Sequence, residues 1–369
     1  MCLAAMICAG ASANAQSSID WNKELKERIT VNGYAQAGYT YTHVDGKNSN
    51  TFDVKRTLLW AKARITDRWS FLFMHDFNSQ VQEFYTDYRI TEGKGLTIRF
   101  GQFKNQLSLE NPLSPVVVEL VDVLSQGATY LSGCGSDPLF GVNYGRDLGI
   151  DLFGELADGK LRYNLEVMNG RGINKKDLDN KKDIIVKLDF RPMDGLRFVT
   201  SAQKGYATAV ATSIYDERYD SETDSYYTTI AVGETYRRDR WTVGAEYKSN
   251  GGQNDYWKDR CFTVRGEWLA GKDKENVSYG GYVTASAPLC GQWDWIASVD
   301  YFNYNKDVPE VDGGGVYNSE GNKDCWNLVA GVQYWFFRKC RVQLQYTFSD
   351  TWMYDDPTHR VQVQTQIAF

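Results

Sequence analysis

Two short segments, Leu96-Thr-Ile-Arg-Phe100 and Arg146-Asp-Leu-Gly-Ile-Asp-Leu152, alternate apolar and polar residues as β-strands do. More than forty residues without a strand period separate them. An irregular stretch of that length is uncommon in a compact domain unless it is functional. We therefore predict that strands close into a barrel around this stretch, at about 101–145, and that it folds inward and narrows the lumen.

A helix is predicted inside this inward loop. Ser114 can cap a helix, and Pro115 suits the first helical position. The apolar residues that follow at helical spacing are Val117, Leu120, Val121 and Leu124.

The composition limits the classes of protein that this chain can represent. Its 369 residues suffice for one large β-domain or two ordinary ones. No run of 18 apolar residues exists, so a helical membrane span is excluded. Aromatic residues make up 14% and prolines number only 7, which favours many strands. The net charge is −6 with scattered basic residues, so we expect no nucleic-acid partner.

The first residues have the pattern of an export signal. Leu3-Ala-Ala-Met-Ile-Cys-Ala9 forms an apolar core, and Ala13-Asn-Ala15 is an A-x-A cleavage site. We predict that residues 1–15 are a signal peptide and that residues 16–369 form the exported barrel. The alternative is a buried N-terminal helix.

Period-two alternation recurs along the chain, and two interpretations fit it. A soluble antiparallel sheet hides its apolar face in a core, whereas a membrane barrel turns that face to lipid and keeps a polar lumen. The connections favour the barrel because short turns alternate with long polar loops. The long loops are predicted at 43–51, 169–183, 204–225, 249–259 and 305–324. Tyr and Trp residues near the strand ends, such as Trp69, Trp293 and Trp335, predict aromatic girdles.

The strand count gives an all-β, transmembrane antiparallel barrel of sixteen strands, an even number that leaves both termini on one side. Residues 226–236 and 241–248 are predicted as two strands joined by a turn at 237–240. Val277–Ala287 also resembles a strand, but a seventeenth strand would move the 305–324 loop to the short-turn side. Residues 270–291 are therefore predicted to form a long connection. The last strand, His359–Phe369, ends in Phe, which resembles the assembly signal of bacterial outer-membrane proteins.

Three short motifs resemble the phosphate-selective porin (O and P) family. Gly101-Gln-Phe-Lys104, followed by Ser108-Leu-Glu110, is similar to the segment that opens that family's constriction loop. Gly145-Arg-Asp-Leu-Gly149 is similar to the closing segment, and Lys55-Arg56 lies where the family often has paired arginines. The resemblance implies a sixteen-stranded, trimeric channel in the outer membrane of a Gram-negative bacterium. Its loop would fold into the lumen.

The charge of the predicted loop departs from the family's pattern. Anion pores use rings of Arg or Lys, and phosphate-selective members concentrate basic residues at the constriction. Here Lys104 is the one basic residue between Gly101 and Gly145, and the net charge of that stretch is −3. Phosphate selectivity is therefore not transferred from the family to this chain.

Three sets of candidate site residues follow from these patterns. Each has a plainer alternative, namely an ordinary surface charge or a rim salt bridge of little energetic worth. The constriction set is Lys104, Glu110, Glu119 and Asp122; the lumen-wall set is Arg56, Lys62, Arg64, Arg99 and Arg162; the loop anchors are Arg146 and Asp147.

No pattern indicates catalysis, a metal site or a cofactor. His43, His75 and His359 are far apart in sequence, and no nucleophile elbow or nucleotide loop occurs. The five cysteines beyond residue 15 are odd in number and widely spaced, which leaves a Cys290–Cys340 bridge as a weak alternative to free thiols.

We predict a porin for passive diffusion of small hydrophilic solutes or ions, with anions such as phosphate among the candidates. Its expected partners are outer-membrane lipid and two further copies in a homotrimer. The alternatives are an outer-membrane barrel enzyme and an adhesin with a filled lumen.

Overall fold

The computed structural model describes residues 27–134, 136–137, 141–142, 144–211, 217–252, 260–306 and 323–369. Sixteen antiparallel strands form a closed barrel, which confirms the predicted fold class and strand number. The last strand pairs with the first from Tyr34 opposite Ala368 to His43 opposite His359. This pairing leaves the barrel without an open edge.

The barrel strands are β1 (Ile29–Val44), β2 (Lys47–Arg64), β3 (Trp69–Asp76), β4 (Val81–Arg89), β5 (Thr97–Lys104), β8 (Arg146–Leu156), β9 (Leu161–Met168), β10 (Asp183–Met193), β11 (Leu196–Thr208), β14 (Thr235–Lys248), β15 (Thr263–Asp273), β16 (Asn276–Cys290), β17 (Trp293–Asn303), β18 (Asp324–Phe337), β19 (Cys340–Thr351) and β20 (Thr358–Ala368). The described elements that are not part of the wall include the helix α1 (Gln126–Leu131) and two small hairpins, β6 (Ser136–Asp137) with β7 (Gly141–Val142) and β12 (Glu217–Asp220) with β13 (Ser225–Thr228).

The alternation of side chains assigns the two faces of the wall. On β10, Ile184, Val186 and Leu188 are exposed on the outside, while Lys187 and Asp189 are buried inside. An apolar exterior around a polar interior is the arrangement of a barrel in lipid, since only the outer face meets hydrocarbon. In the described part of the chain, no helix has the length and apolar character needed to cross a membrane.

The predicted strand number is right because two errors cancel. The predicted turn at 237–240 is wrong, since β14 runs without a break from Thr235 to Lys248. Its Arg240 is fully buried and bonds to Asp273 at 2.7 Å, so this basic run lies within a strand with paired charges. The predicted connection at 270–291 is also wrong, because β16 follows β15 after a turn at Lys274-Glu275.

The two rims of the barrel differ as predicted, but two loops were misplaced. The predicted loop at 43–51 is wrong: β1 and β2 meet at Asp45-Gly46, whose positive φ angles of 47° and 69° suit a tight hairpin. The connection after Lys248 lies on the short-turn rim, so the predicted loop at 249–259 belongs there; its residues 253–259 are outside the described part. The long-loop rim carries the loops at 105–145, 169–182 and 209–234.

The aromatic residues at the strand ends do not all face lipid. Trp69 and Trp293 are exposed on the outer wall beside the short-turn rim. Trp335 is instead buried and donates its indole N–H to Asp294 at 2.6 Å. The girdle prediction therefore holds for individual residues only.

The inner loop, residues 105–145, enters the lumen but lacks the predicted helix at Pro115. Residues 114–124 form turns, and α1 begins later with Ser125 as its N-cap. The predicted helix fails because backbone groups bond to the wall, as when the Val121 N–H donates to Gln345 at 2.9 Å. The predicted signal peptide, residues 1–15, is outside the described residues.

Candidate functional site

The inner loop packs against one half of the barrel wall through an apolar cluster. Its loop members include Leu107, Val118, Leu120, Leu124, Ala128 and Leu131, and its wall members include Met168, Ile185, Leu269, Ile296 and Phe302. These wall residues belong to β9, β10, β15 and β17. Burial of this much apolar surface favours a fixed loop position.

The tip of the inner loop is clasped by three wall strands. Glu267 on β15 accepts the Leu109 N–H at 2.7 Å and the Ser108 hydroxyl at 3.1 Å. Lys187 on β10 donates to the Ser108 carbonyl at 2.9 Å, and Ser201 on β11 accepts the Ser108 N–H at 2.9 Å. Ser108 has a φ of +73°, a conformation that costs energy unless its surroundings hold it.

Arg265 on β15 holds the inner loop through ion pairs. Its guanidinium lies 3.5 Å from the Glu110 carboxylate and 3.2 Å from Glu246, and it also pairs with Glu119. Arg265 is 2% exposed, and Glu110 is fully buried. The two loop carboxylates therefore share one wall cation with Glu246.

A row of polar side chains on the last two strands holds the loop backbone. Gln343 and Gln345 donate to the Glu119 carbonyl at 2.7 and 2.6 Å. Arg341 donates to the Val118 carbonyl at 2.6 Å. Backbone groups inside a lumen need such partners, because an unpaired buried carbonyl is costly.

Asp122 is the loop carboxylate that stays partly accessible. It accepts from Arg360 at 2.6 Å and Gln362 at 2.9 Å, and Lys55 lies 3.8 Å away. The next residue, Val123, has a φ of +74°, which is an outlier for a β-branched residue. Strain of this kind collects at functional sites that their surroundings over-determine.

Lys104 and the predicted anchors Arg146 and Asp147 lie at the ends of the inner loop, where each forms specific bonds. Lys104 donates to the carbonyls of Asn111 and Leu113 at 2.8 and 2.7 Å. Arg146 pairs with Glu83 at 2.9 Å. Asp147 accepts the Gly170 N–H at 2.6 Å and so fixes the start of the neighbouring loop.

The opposite half of the lumen contains a cavity of about 340 Å³ beside the inner loop, here named the loop-side cavity. It lies against β1–β5 and β8, and Leu124 of the apolar cluster forms part of its lining. Its basic residues are Lys55, Arg56, Lys104 and Arg146, and its acidic residues are Asp76 and Asp122. Of the two acidic residues, Asp76 already accepts the N–H groups of Thr57 and Asn78. Basic groups therefore dominate the charge of this cavity.

A second cavity of about 470 Å³, the turn-side cavity, opens near the short-turn rim against β2–β5 and β8. Its basic residues are Lys62, Arg64, Arg68, Arg89, Lys94 and Arg162, against Asp67, Asp87 and Glu155. Arg99 lies deeper; it pairs with Asp87 at 2.7 Å and stacks on Tyr85 with 3.8 Å between guanidinium carbon and ring centroid.

The structure divides the predicted site residues into two groups. Lys104, Asp122, Arg56 and Arg146 meet at the loop-side cavity, and Lys62, Arg64 and Arg162 line the turn-side cavity. Glu110 and Glu119 line neither cavity, and both lie at Arg265.

Sequence reasoning missed the wall residues that hold the loop. They are Lys187, Arg265, Glu267, Arg341, Gln343 and Gln345. For the last three a signal existed: the polar face of β19 is Arg-x-Gln-x-Gln, and that of β20 repeats Gln at every second position.

Histidines and cysteines form no recognised chemical centre in the described residues. No group of three or more His, Cys, Asp or Glu side chains there is placed to hold a metal ion. The five cysteines from Cys134 onward are free, so the alternative Cys290–Cys340 bridge is absent. His43 and His359 lie side by side with ring centroids 6.3 Å apart.

Comparison with solved structures places the fold among outer-membrane barrels. An anion-selective porin from Comamonas acidovorans matches with a TM-score of 0.60 and 11% identity over 92% of this chain and 99% of its own. OprB from Pseudomonas putida matches with a TM-score of 0.67 and 10% identity over 94% and 96%. OmpF from Salmonella typhi gives 0.58 and 14% over 92% and 97%. No protein-family model and no curated protein matches the chain.

Proposed function

We propose that the protein is a porin-type channel for passive diffusion of small hydrophilic solutes or ions, without catalysis. The observation that carries this proposal is the lumen, where an inner loop is bonded to the wall and polar cavities remain beside β1–β5, β8 and β9. A sixteen-stranded barrel is wide enough to leave an aqueous channel that such a loop narrows. Solutes would pass from the loop-side cavity to the turn-side cavity along β2–β5 and β8.

The membrane and assembly belong to the same proposal. The apolar outer wall suits lipid, and one solved structure with this fold is described as an outer membrane channel of Acinetobacter baumannii. The structure of OmpT from Vibrio cholerae is described as a trimer form. We place this chain in the outer membrane of a Gram-negative bacterium as a homotrimer, exported by residues 1–15.

We also propose a preference for anions, with phosphate among the candidates. The loop carboxylates Glu110 and Glu119 lie at Arg265 and line neither cavity, so they do not face the wall charges along the proposed path. Both cavities carry twice as many basic as acidic side chains. Rings of Arg and Lys lower the electrostatic barrier for anions, while Asp122 facing Lys104 and Arg56 would orient dipolar solutes.

The first test is the reversal potential of the purified protein in a planar bilayer under a steep KCl gradient. We expect open channels whose reversal potential lies towards the equilibrium potential of chloride, because basic groups dominate the lumen. A reversal potential on the potassium side would contradict anion preference. Absence of conductance would contradict the channel itself and favour a filled barrel.

Cys134 offers a native probe of the path, because it is partly exposed and lines the loop-side cavity. We expect an anionic methanethiosulfonate reagent to modify Cys134 several-fold faster than a cationic one and to reduce conductance. Cys261→Ser with Cys290→Ser removes the other accessible thiols, and Cys134→Ser in that background serves as the control. A conductance loss that persists in Cys134→Ser would place the path elsewhere.

A further inference from the structure

The outer wall carries a groove of about 880 Å³ that the channel does not use. Its apolar lining comes from β3, β4 and β5 and includes Trp69, Phe71, Phe84 and Phe100. Phe84 and Phe100 are 53% and 63% exposed, so the groove faces outward. Gly101 also lies along the groove, and a side chain there would collide with the backbone of Phe84 and Tyr85.

The loop at 169–182 closes the groove at the long-loop rim because it folds over the outside of the barrel. Asn174 and Gln102 form a reciprocal amide pair, with the Asn174 N–H donating at 2.6 Å and the Gln102 amide donating back at 3.0 Å. The Asn174 amide also donates to the Val81 carbonyl at 3.1 Å. These bonds hold the next two residues, Lys175 and Lys176, against the groove.

The groove therefore has one basic end and one apolar end. Lys175 and Lys176 lie at the long-loop rim, and Ile65 and Trp69 lie near the short-turn rim. The neighbouring carboxylate, Asp177, pairs with Lys182 and accepts the Asp179 N–H, so it is engaged outside the groove. Two cations above an apolar channel match an amphiphile with an anionic head.

We propose that this groove binds one membrane lipid through its phosphate. The phosphate would lie between Lys175 and Lys176, and an acyl chain would follow Phe84 and Phe100 towards Trp69. A flexible chain fits a concave groove under an overhanging loop, whereas the convex wall of a second barrel does not. The inference uses the membrane location proposed above but is independent of solute transport.

Native mass spectrometry of the full protein in detergent tests the proposal, with dipalmitoyl phosphatidic acid and dipalmitoyl phosphatidylcholine as probes. We expect one phosphatidic acid per barrel and binding of phosphatidylcholine that is about tenfold weaker, because the lysines recognise the anionic head. Lys175→Gln with Lys176→Gln should weaken phosphatidic acid binding about tenfold. Lys181→Gln with Lys204→Gln removes equal charge outside the groove, keeps the Asp177–Lys182 pair and should leave binding unchanged.

The position of the acyl chain has its own readout. With brominated phosphatidic acid at one lipid per barrel, part of the tryptophan quenching should disappear in Trp69→Phe. Equal binding of both lipids, equal loss in both lysine pairs, or unchanged quenching in Trp69→Phe would overturn the proposal. So would displacement of lipid by a second barrel. Conductance of the Lys175→Gln, Lys176→Gln variant should stay native, so the two proposals fail separately.

Discussion

Deletion of residues 112–140 is expected to raise the single-channel conductance several-fold. The deleted segment includes α1 and every loop member of the apolar cluster except Leu107, which together fill part of the lumen. Without it, a sixteen-stranded barrel retains a wide aqueous channel. The shortened loop can close because the Asn111 side chain already contacts the Gly145 carbonyl at 3.1 Å.

The control for this deletion is a loop on the same rim that does not enter the lumen cluster. Replacing the turn 221–224 between β12 and β13 with Asn-Gly keeps a hairpin but shortens the loop at 209–234. We expect its conductance to match the native value in planar bilayers. Equal conductance of the 112–140 deletion and the native protein would show that the inner loop is not the constriction.

The second large effect is expected from Arg265→Met, which should lower the free energy of unfolding by about 3–5 kcal/mol. The substitution leaves Glu110, Glu119 and Glu246 without their shared cation in an enclosed position. Uncompensated buried charges carry this penalty because they lose water without gaining a partner. Urea unfolding in detergent, followed by tryptophan fluorescence, measures the change.

Arg197→Met is the matched control for Arg265→Met. Arg197 also pairs with Glu246, at 3.0 Å, and with Asp189, but its side chain is 18% exposed and contacts no loop carboxylate. Arg197→Met should lower the free energy of unfolding by clearly less than Arg265→Met does. Adding Glu110→Gln and Glu119→Gln to Arg265→Met should restore part of the stability. Equal destabilisation by Arg265→Met and Arg197→Met would show that the contacts of Arg265 with Glu110 and Glu119 add no particular stability to the loop.

The sequence predicts this fold best where a strand meets lipid on one face and a polar lumen on the other. β10 and β20 satisfy that condition and alternate clearly. β14 does not, because Arg237, Arg238, Asp239 and Arg240 resemble a solvated turn until their partners are known. Arg240 bonds to Asp273 on the neighbouring strand, and such pairing across strands leaves no mark in a local window.

The candidate site was predictable in its location more than in its contacts. The ends of the loop were found because two segments with clear strand alternation flank it. The ends of these strands, Lys104 and Arg146, lie opposite each other in the barrel wall. The ion pairing of the loop carboxylates was not predicted, because Glu119 and Arg265 are 146 positions apart in the sequence. A net charge summed over the loop does not show which of its carboxylates share a wall cation.

The hydrogen bonds from the last two strands to the inner loop also set an order of assembly. Gln366 donates to the Val116 carbonyl across 250 positions, and Arg341 reaches Val118 across 223. Residues 116–118 of the loop are synthesised early but cannot form these bonds until β19 and β20 are in place. Contacts between such distant parts of a chain slow folding, since they form only after most of the chain has been ordered. The barrel therefore closes and the inner loop completes its bonds in the same late step of folding.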